Sequence, residues 1–194
     1  MSAPRLVLLT RYPDPGRAKT RLIPAIGADG AAAVHKRLAE RTVDVMRESG
    51  LPIEIWFTGA RRSDFADWLG ADLAYVEQGG GDLGDRLRAA IGKPPVIFVG
   101  ADCPDLRREH LQQAATALDD NQVVIGPAED GGYWLIGLAA RHDWLFEDMA
   151  WGTDAVLPET LARLSKREIA PASLETLSDC DRPGDLGRWP WLTP

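Results

Sequence analysis

Residues 96–106 read VIFVGADCPDL. Val96 to Val99 make an unbroken apolar run of strand length, and a run without polar alternation is what a strand covered on both faces of a parallel sheet requires. Gly100 closes the run, and Asp102 is the first charge beyond it. Asp105 is a candidate N-cap for a helix whose apolar positions include Leu106, Leu111, Ala114, Ala115 and Leu118. The stretch is one strand–loop–helix unit, and the fold depends on how often that unit recurs.

Upstream it recurs several times. Leu6–Thr10 (LVLLT) is a buried strand, followed by the loop YPDPGRAKTRLIPAIG, whose prolines and glycines exclude a regular helix. A helix is expected from Asp29 as N-cap to Gly50, with Ala31, Val34, Leu38, Val45 and Met46 near one face. Ile53–Thr58 is the second strand, Ser63–Leu69 a short helix, and Leu73–Glu77 a third strand leading into the glycine-rich QGGGDLG and another short helix. Downstream, Val123–Gly126 and Tyr133–Leu138 are strands either side of a turn at Glu129-Asp130-Gly131-Gly132. Thr153 starts a last helix to Leu164, with Pro158 placed in its first turn. The tail is extended near Ile169 and Leu177. This alternation predicts an α/β fold with a mainly parallel sheet, and with no repeat or linker in view, one domain over residues 1–194.

Composition narrows the function. The chain has 194 residues, 45% of them apolar, and a net charge of −7. Acidity argues against nucleic acid or an anionic membrane as partner, since both need a basic surface. No apolar run approaches the roughly 18 residues of a membrane-spanning helix. Met1 to Arg11 lacks the basic, apolar and small-residue order of a secretion signal, so a cytoplasmic location is expected. Cys103 and Cys180 form neither a disulfide framework nor a metal-binding spacing.

The charge is uneven along the chain. Residues 11–28 hold Arg11, Arg17, Lys19 and Arg21 against one acid, Asp14, a net of +3 that leaves −10 elsewhere. In open α/β sheets, ligands bind beyond the carboxyl ends of the strands, and the unusual residues fall there. The cations follow the first strand, Gln78 to Asp82 the third, Asp102 the fourth, and Asp130-Gly131-Gly132 the fifth. The cations suit phosphate oxygens, and Gly16 permits close backbone approach. The carboxylates are hard oxygen donors suited to Mg²⁺ or Mn²⁺. Asp102 ends an apolar strand, where a charge is costly unless paired or solvated in a cleft, and it is the principal metal candidate. Asp179 and Asp181 share one face of an extended segment, and either can complete a site with Asp102. Trp134, Trp144 and Trp151 are either an apolar wall for a sugar or base or part of the core. His35 and His110 lie within helices and read as packing residues. A buried thiol is the better reading of Cys103. Gly79 to Gly84 matches G-x-G-x-x-G, with Asp102 at the spacing of a ribose-binding acid. The helix that follows is short for a dinucleotide crossover, and the match leaves the cationic loop unexplained.

Four motifs together resemble one bacterial family. They are Pro13-x-Pro15-Gly16-Arg17-x-Lys19-Thr20-Arg21-Leu22, Gly79-x-Gly81-Asp82-Leu83-Gly84-x-Arg86-Leu87, Gly100-x-Asp102-x-Pro104-x-Leu106, and Asp130-Gly131-Gly132-Tyr133-x-Leu135-Ile136-Gly137-Leu138. Trp151-Gly152-Thr153 and Asp179-x-Asp181-x-Pro183-x-Asp185-Leu186 fit as well. The family is one of GT-A-type glycosyltransferases by assignment, long called a domain of unknown function, with some members named for arsenosugar synthesis. It is similar to the guanylyltransferase of deazaflavin-cofactor synthesis. The resemblance implies a three-layer α/β/α nucleotide-diphospho-sugar transferase (GT-A, Rossmann-like) fold with a mainly parallel mixed sheet.

It also implies roles. The backbone at Thr10, Arg11 and Gly16 approaches the nucleotide, with the Arg17, Lys19 and Arg21 side chains on phosphates and with Gln78, Gly79, Gly81 and Asp82 opposite. Asp102 binds Mg²⁺ or Mn²⁺, with Asp179 the better second ligand and Asp181 next. The turn Asp130-Gly131-Gly132-Tyr133, with Trp151, lies at the transferred group or acceptor. Asp102, Asp130 and Lys19 are the expected catalytic residues. The expected reaction is sugar transfer from a nucleoside-diphosphate sugar to a small acceptor. The alternatives are nucleotidyl transfer with pyrophosphate release and nucleotide binding without catalysis.

Overall fold

The computed structural model describes residues 3–193, so Met1, Ser2 and Pro194 of the expected 1–194 domain lie outside the described residues. Strands β1 (Arg5–Arg11), β2 (Ile53–Thr58), β3 (Ala74–Glu77), β4 (Val96–Val99), β5 (Val123–Pro127), β6 (Tyr133–Leu138) and β7 (Ala172–Ser173) form one sheet in the order β3-β2-β1-β4-β6-β5-β7. β3, β2, β1 and β4 pair in parallel. β6 runs antiparallel between β4 and β5, and β7 pairs parallel to β5. A mainly parallel mixed sheet is therefore what the chain forms.

The apolar runs explain the layers. Because alternate residues of a strand face opposite sides, Leu6, Leu8, Ile55 and Ile97 enter one core with Val43, Met46, Phe65 and Leu111. Those partners come from helices α1 (Ile23–Ser49), α2 (Arg62–Leu69) and α4 (Arg108–Ala117). Val7, Val96 and Phe98 face the other way, against Leu87 and Ile91 of α3 (Leu83–Ile91) and Leu164 of α5 (Val156–Ser165). Two cores on one sheet give the three-layer α/β/α fold. At roughly 1.5–3 kcal/mol for each large apolar side chain fully buried, the central strands are the main source of stability.

Three helix starts differ from expectation, one of them α5, which begins at Val156 and not at Thr153, because Thr153 lies in the turn before it with its hydroxyl on the Ala150 carbonyl. The segment before Asp29 is not wholly irregular, because helical turns begin at Thr20 and Ile23 and the chain kinks at Gly27, whose φ is 72°. Pro24 is tolerated in that first turn, where its missing N–H has no partner to lose. Asp105 does not cap α4. Arg107 holds the N-cap position, and the Asp105 carboxylate accepts the Trp189 Nε1 hydrogen at 3.1 Å instead. That bond ties the C-terminal tail to the loop after β4. Farther along the tail, Leu177 bridges Ala128 in parallel, next to the turn at Asp130.

Candidate active site

A cleft of about 490 Å³ opens at the carboxyl ends of β1 and β4, lined by Thr10, Gln78, Asp102, Asp130, Trp151 and Asp179 among others. A second, more polar cleft adjoins it and shares Arg21, Asp130, Asp179 and Asp181 with the first. Volumes of this order suit small-molecule ligands.

The start of the loop after β1 is held by near neighbours and by His35 of α1. The Arg11 guanidinium donates to the Arg17 carbonyl, the Arg17 N–H donates to the Asp14 carbonyl at 3.1 Å, and His35 Nε2 lies 3.0 Å from the Arg11 carbonyl. Gly16, at φ 80°, and Arg17 are exposed at the tip. Burial holds His35 below the ordinary imidazole range, although the Arg11 carbonyl opposes the shift. On the facing side, the Gln78 amide donates to the Trp56 carbonyl at 2.6 Å and the Thr10 carbonyl at 3.2 Å. Gln78 thereby ties the ends of β1, β2 and β3 together. Asp82 caps α3, accepting from the Asp85 N–H at 2.8 Å, while Asp85 accepts in return from the Asp82 N–H at 3.1 Å. Gly79 and Gly81 are exposed in the turn before it. Gly84 has a packing reason: a Cβ there would come 2.2 Å from the Phe146 carbonyl oxygen.

The tail supplies the acidic side. The Cys180 N–H donates to the Asp102 carbonyl at 2.8 Å, which brings Asp179 and Asp181 beside Asp102 as the period-two spacing requires. Asp179 is raised by burial and by repulsion from Asp130, Asp102 and Asp181. Asp181 accepts from the guanidinium of Arg21. Asp102 is walled in by protein, yet its side chain stays 53% exposed to the cleft. Burial would raise its carboxyl, but the Lys19 ammonium, 2.7 Å from Oδ1, holds it below the ordinary carboxylate range. Lys19 is itself only 4% exposed, and burial would lower its ammonium, but Asp102 and Asp181 hold it above the ordinary range.

The Asp130 carboxylate closes its own turn, with Oδ1 accepting from the Gly132 N–H at 2.9 Å. Gly131 sits at φ 87°, and a Cβ there would clash with Asp154 at 2.6 Å. Tyr133 packs against the core beneath the turn. Of the three tryptophans, Trp134 is 2% exposed and donates to the Glu175 carbonyl at 3.0 Å, so it is a core residue. Trp144 stacks under Arg167 at 4.0 Å. Trp151 lines the cleft, and its buried Nε1 has no hydrogen-bond partner among the described residues.

Both cysteines are free and buried. Burial and the adjacent Asp102 charge push the Cys103 thiol up, and burial pushes Cys180 up to about 11. Neither is a nucleophile at neutral pH. His35, expected only to pack, and Arg86, given no role, also line the cleft. The signal for His35 was its place beside Ala31, Val34 and Leu38 on the inward face of α1. Arg86 sits inside a quoted motif, and its guanidinium donates to Gln78 Oε1 at 3.3 Å.

The donor chemistry suits a divalent cation. Asp102, Asp179 and Asp181 are hard oxygen donors on one cleft, and Asp102 and Asp181 both repel Asp179. Among the described residues, no three His, Cys, Asp or Glu side chains are already gathered as a metal-binding group.

Among solved structures, the chain matches a protein of Desulfovibrio desulfuricans G20 assigned to the nucleotide-diphospho-sugar transferases, at 28% identity and a TM-score of 0.87, over 94% of this chain and 84% of that one. It matches a nucleotidyl transferase from Methanothermobacter at 16% identity and a TM-score of 0.64, over 97% and 96% of the two chains. Glucosyl-3-phosphoglycerate synthase of Mycobacterium tuberculosis, solved with Mn²⁺ and uridine diphosphate, matches at 13% identity and a TM-score of 0.57, over 95% and 75%. The last two likenesses show the fold alone. No curated protein matches the sequence. Fold and likeness place the chain among the transferases built on the nucleotide-diphospho-sugar transferase fold. It belongs to the bacterial family DUF2064, described as "uncharacterized protein conserved in bacteria", whose model matches residues 42–153. No helix among the described residues is long and apolar enough to cross a membrane.

Proposed function

We propose that the protein is a metal-dependent glycosyltransferase that moves a sugar from a nucleoside-diphosphate sugar to a small acceptor. The observation that carries this reading is the pair of adjoining clefts sharing Asp130, Asp179 and Asp181, with Arg11, Arg21 and Arg86 also lining the first of them. The first cleft takes the donor and the more polar one the acceptor, so the transferred group passes where the shared carboxylates stand. Arg11, Arg17 and Arg21 offer donors for the diphosphate, and guanidinium groups bind phosphate oxygens in pairs. Gln78, Gly79, Gly81 and Asp82 border the nucleoside. Asp102 and Asp179, with Asp181 beside them, would hold Mg²⁺ or Mn²⁺. Such an ion supplies charge neutralisation for a diphosphate leaving group. Asp130 orients the acceptor hydroxyl and takes its proton, while Tyr133, Gly131, Gly132 and Trp151 shape the wall against which the sugar lies. The location of this chemistry in the cytoplasm belongs to the same reading.

The test is a panel of sugar nucleotides incubated with the protein and small polyol acceptors, with and without Mn²⁺. Free nucleoside diphosphate released only when donor, acceptor and metal are all present is the expected result. Pyrophosphate released from a nucleoside triphosphate and a phosphorylated acceptor would replace sugar transfer by nucleotidyl transfer. Metal-dependent nucleotide binding with neither product would leave a binding protein.

A further inference from the structure

Lys19 is tightly constrained beside the cleft. Its backbone is left-handed, with φ 47° and ψ 44°, a conformation that is costly for a non-glycine residue. Its ammonium reaches Asp102 Oδ1 at 2.7 Å, the Cys180 carbonyl at 2.7 Å and Asp181 Oδ1 at 3.4 Å. All three partners lie on the acidic wall. The other loop cations are placed differently: Arg17 is exposed at the tip, and Arg21 reaches only Asp181 from a half-exposed position.

Two of the three aspartates that would hold a divalent ion are bonded to Lys19, and the third, Asp179, has no cation of its own among the described residues. From this arrangement we infer that Lys19 is a tethered counter-cation, occupying the carboxylates of Asp102 and Asp181 in the free protein and competing there with the divalent ion. The inference rests on the metal-dependent reading above. When a nucleotide enters, its phosphates offer Lys19 a second set of anionic partners, so the same ammonium that blocks the carboxylates in the free protein binds phosphate in the loaded one. Nucleotide and metal then bind with positive coupling, and by linkage each raises the affinity for the other. Without nucleotide the carboxylates stay neutralised, which spares the protein a bare acidic cluster.

The test is direct Mn²⁺ binding to the nucleotide-free protein, followed by calorimetry and by the electron paramagnetic resonance signal of free Mn²⁺. Removing one unit charge a few ångströms from the site in a water-filled cleft leads Lys19→Met to bind Mn²⁺ about tenfold more tightly than the parent. Lys19→Arg keeps the charge and should stay within about twofold of the parent. Equal or weaker binding by Lys19→Met, with the fold intact by thermal melting, would overturn the competition. A second measurement needs no variant. Acetic anhydride labelling of Lys19, read by mass spectrometry against Lys93 as control, should rise several-fold when Mn²⁺ is added, and unchanged labelling would overturn the inference. Mn²⁺ that binds no form of the protein, even with uridine or guanosine diphosphate present, would instead remove the metal-dependent reading.

Discussion

Two irregular segments meet at the cleft, and they are held in opposite ways. The tip of the loop after β1 is fastened by its own neighbours, Arg11 to Arg17 and Arg17 to Asp14. The tail from Leu177 to Trp189 is fastened by residues far away in sequence: Ala128, Asp102, Lys19, Arg21 and Asp105. Arg188 adds bonds to Glu129 at 3.0 Å and to Ser178 at 2.6 Å. The tip of the loop is therefore a local structure and the carboxylate wall, to which Lys19 and Arg21 at the far end of the loop are bonded, a tertiary one. A change at the tip should alter ligand affinity with little effect on the fold, whereas a change to the tail should alter both.

The largest expected effect lies where the two walls touch. Asp102→Asn should lower turnover in the sugar-transfer assay by about two to three orders of magnitude, the range seen when one preorganised electrostatic partner of a transition state is removed. Circular dichroism should show the fold retained. Trp189→Ala separates the tail from its anchor, losing a buried ring and the bond to Asp105. A cost of about 3–5 kcal/mol in urea unfolding is expected, with activity lost in parallel because Asp179 and Asp181 are no longer held. If Trp189→Ala kept full activity, the tail would not be part of the site. Arg17→Ala is the contrasting loop change. Stability should stay within about 0.5 kcal/mol, while nucleotide affinity falls roughly tenfold and less so at high salt. The smallest effect is expected from thiol reagents. Both thiols are pushed above the ordinary range, Cys180 up to about 11, so both stay protonated at pH 8. Iodoacetamide should then label neither in the native protein and both in urea.

The same contrast explains what could be read from the sequence. The central strands were legible because burial on both faces leaves continuous apolar runs, as in Val96–Val99, and Ile53–Thr58, alternately buried, and Tyr133–Leu138 were bounded as the structure has them. The helix after β4 was legible as a helix but not in its start, because an aspartate at a plausible cap position serves equally well as an acceptor for a distant indole. The kink at Gly27 was hidden for a similar reason: prolines and glycines mark a break without saying whether short helical turns fill it. In the site, chain order places residues at strand ends, so Asp102, Gln78 and Asp130 could be located on the cleft from the sequence. The pairing of Lys19 with Asp102 could not, since it depends on how the β1 loop folds back across β4. His35 was dismissed because helical periodicity reports that a face is inward but not which end of the sheet it meets.

The hydrogen bond from the Cys180 N–H to the Asp102 carbonyl has a consequence in time. A chain synthesised from its N-terminus exposes Lys19 and Asp102 long before Asp181 exists, so the first partner available to Lys19 is Asp102. In the folded protein that pair presents an N–H donor to the Cys180 carbonyl and the Asp102 backbone carbonyl to its N–H, so the tail is seated on a pair made wholly by residues that precede it in the chain.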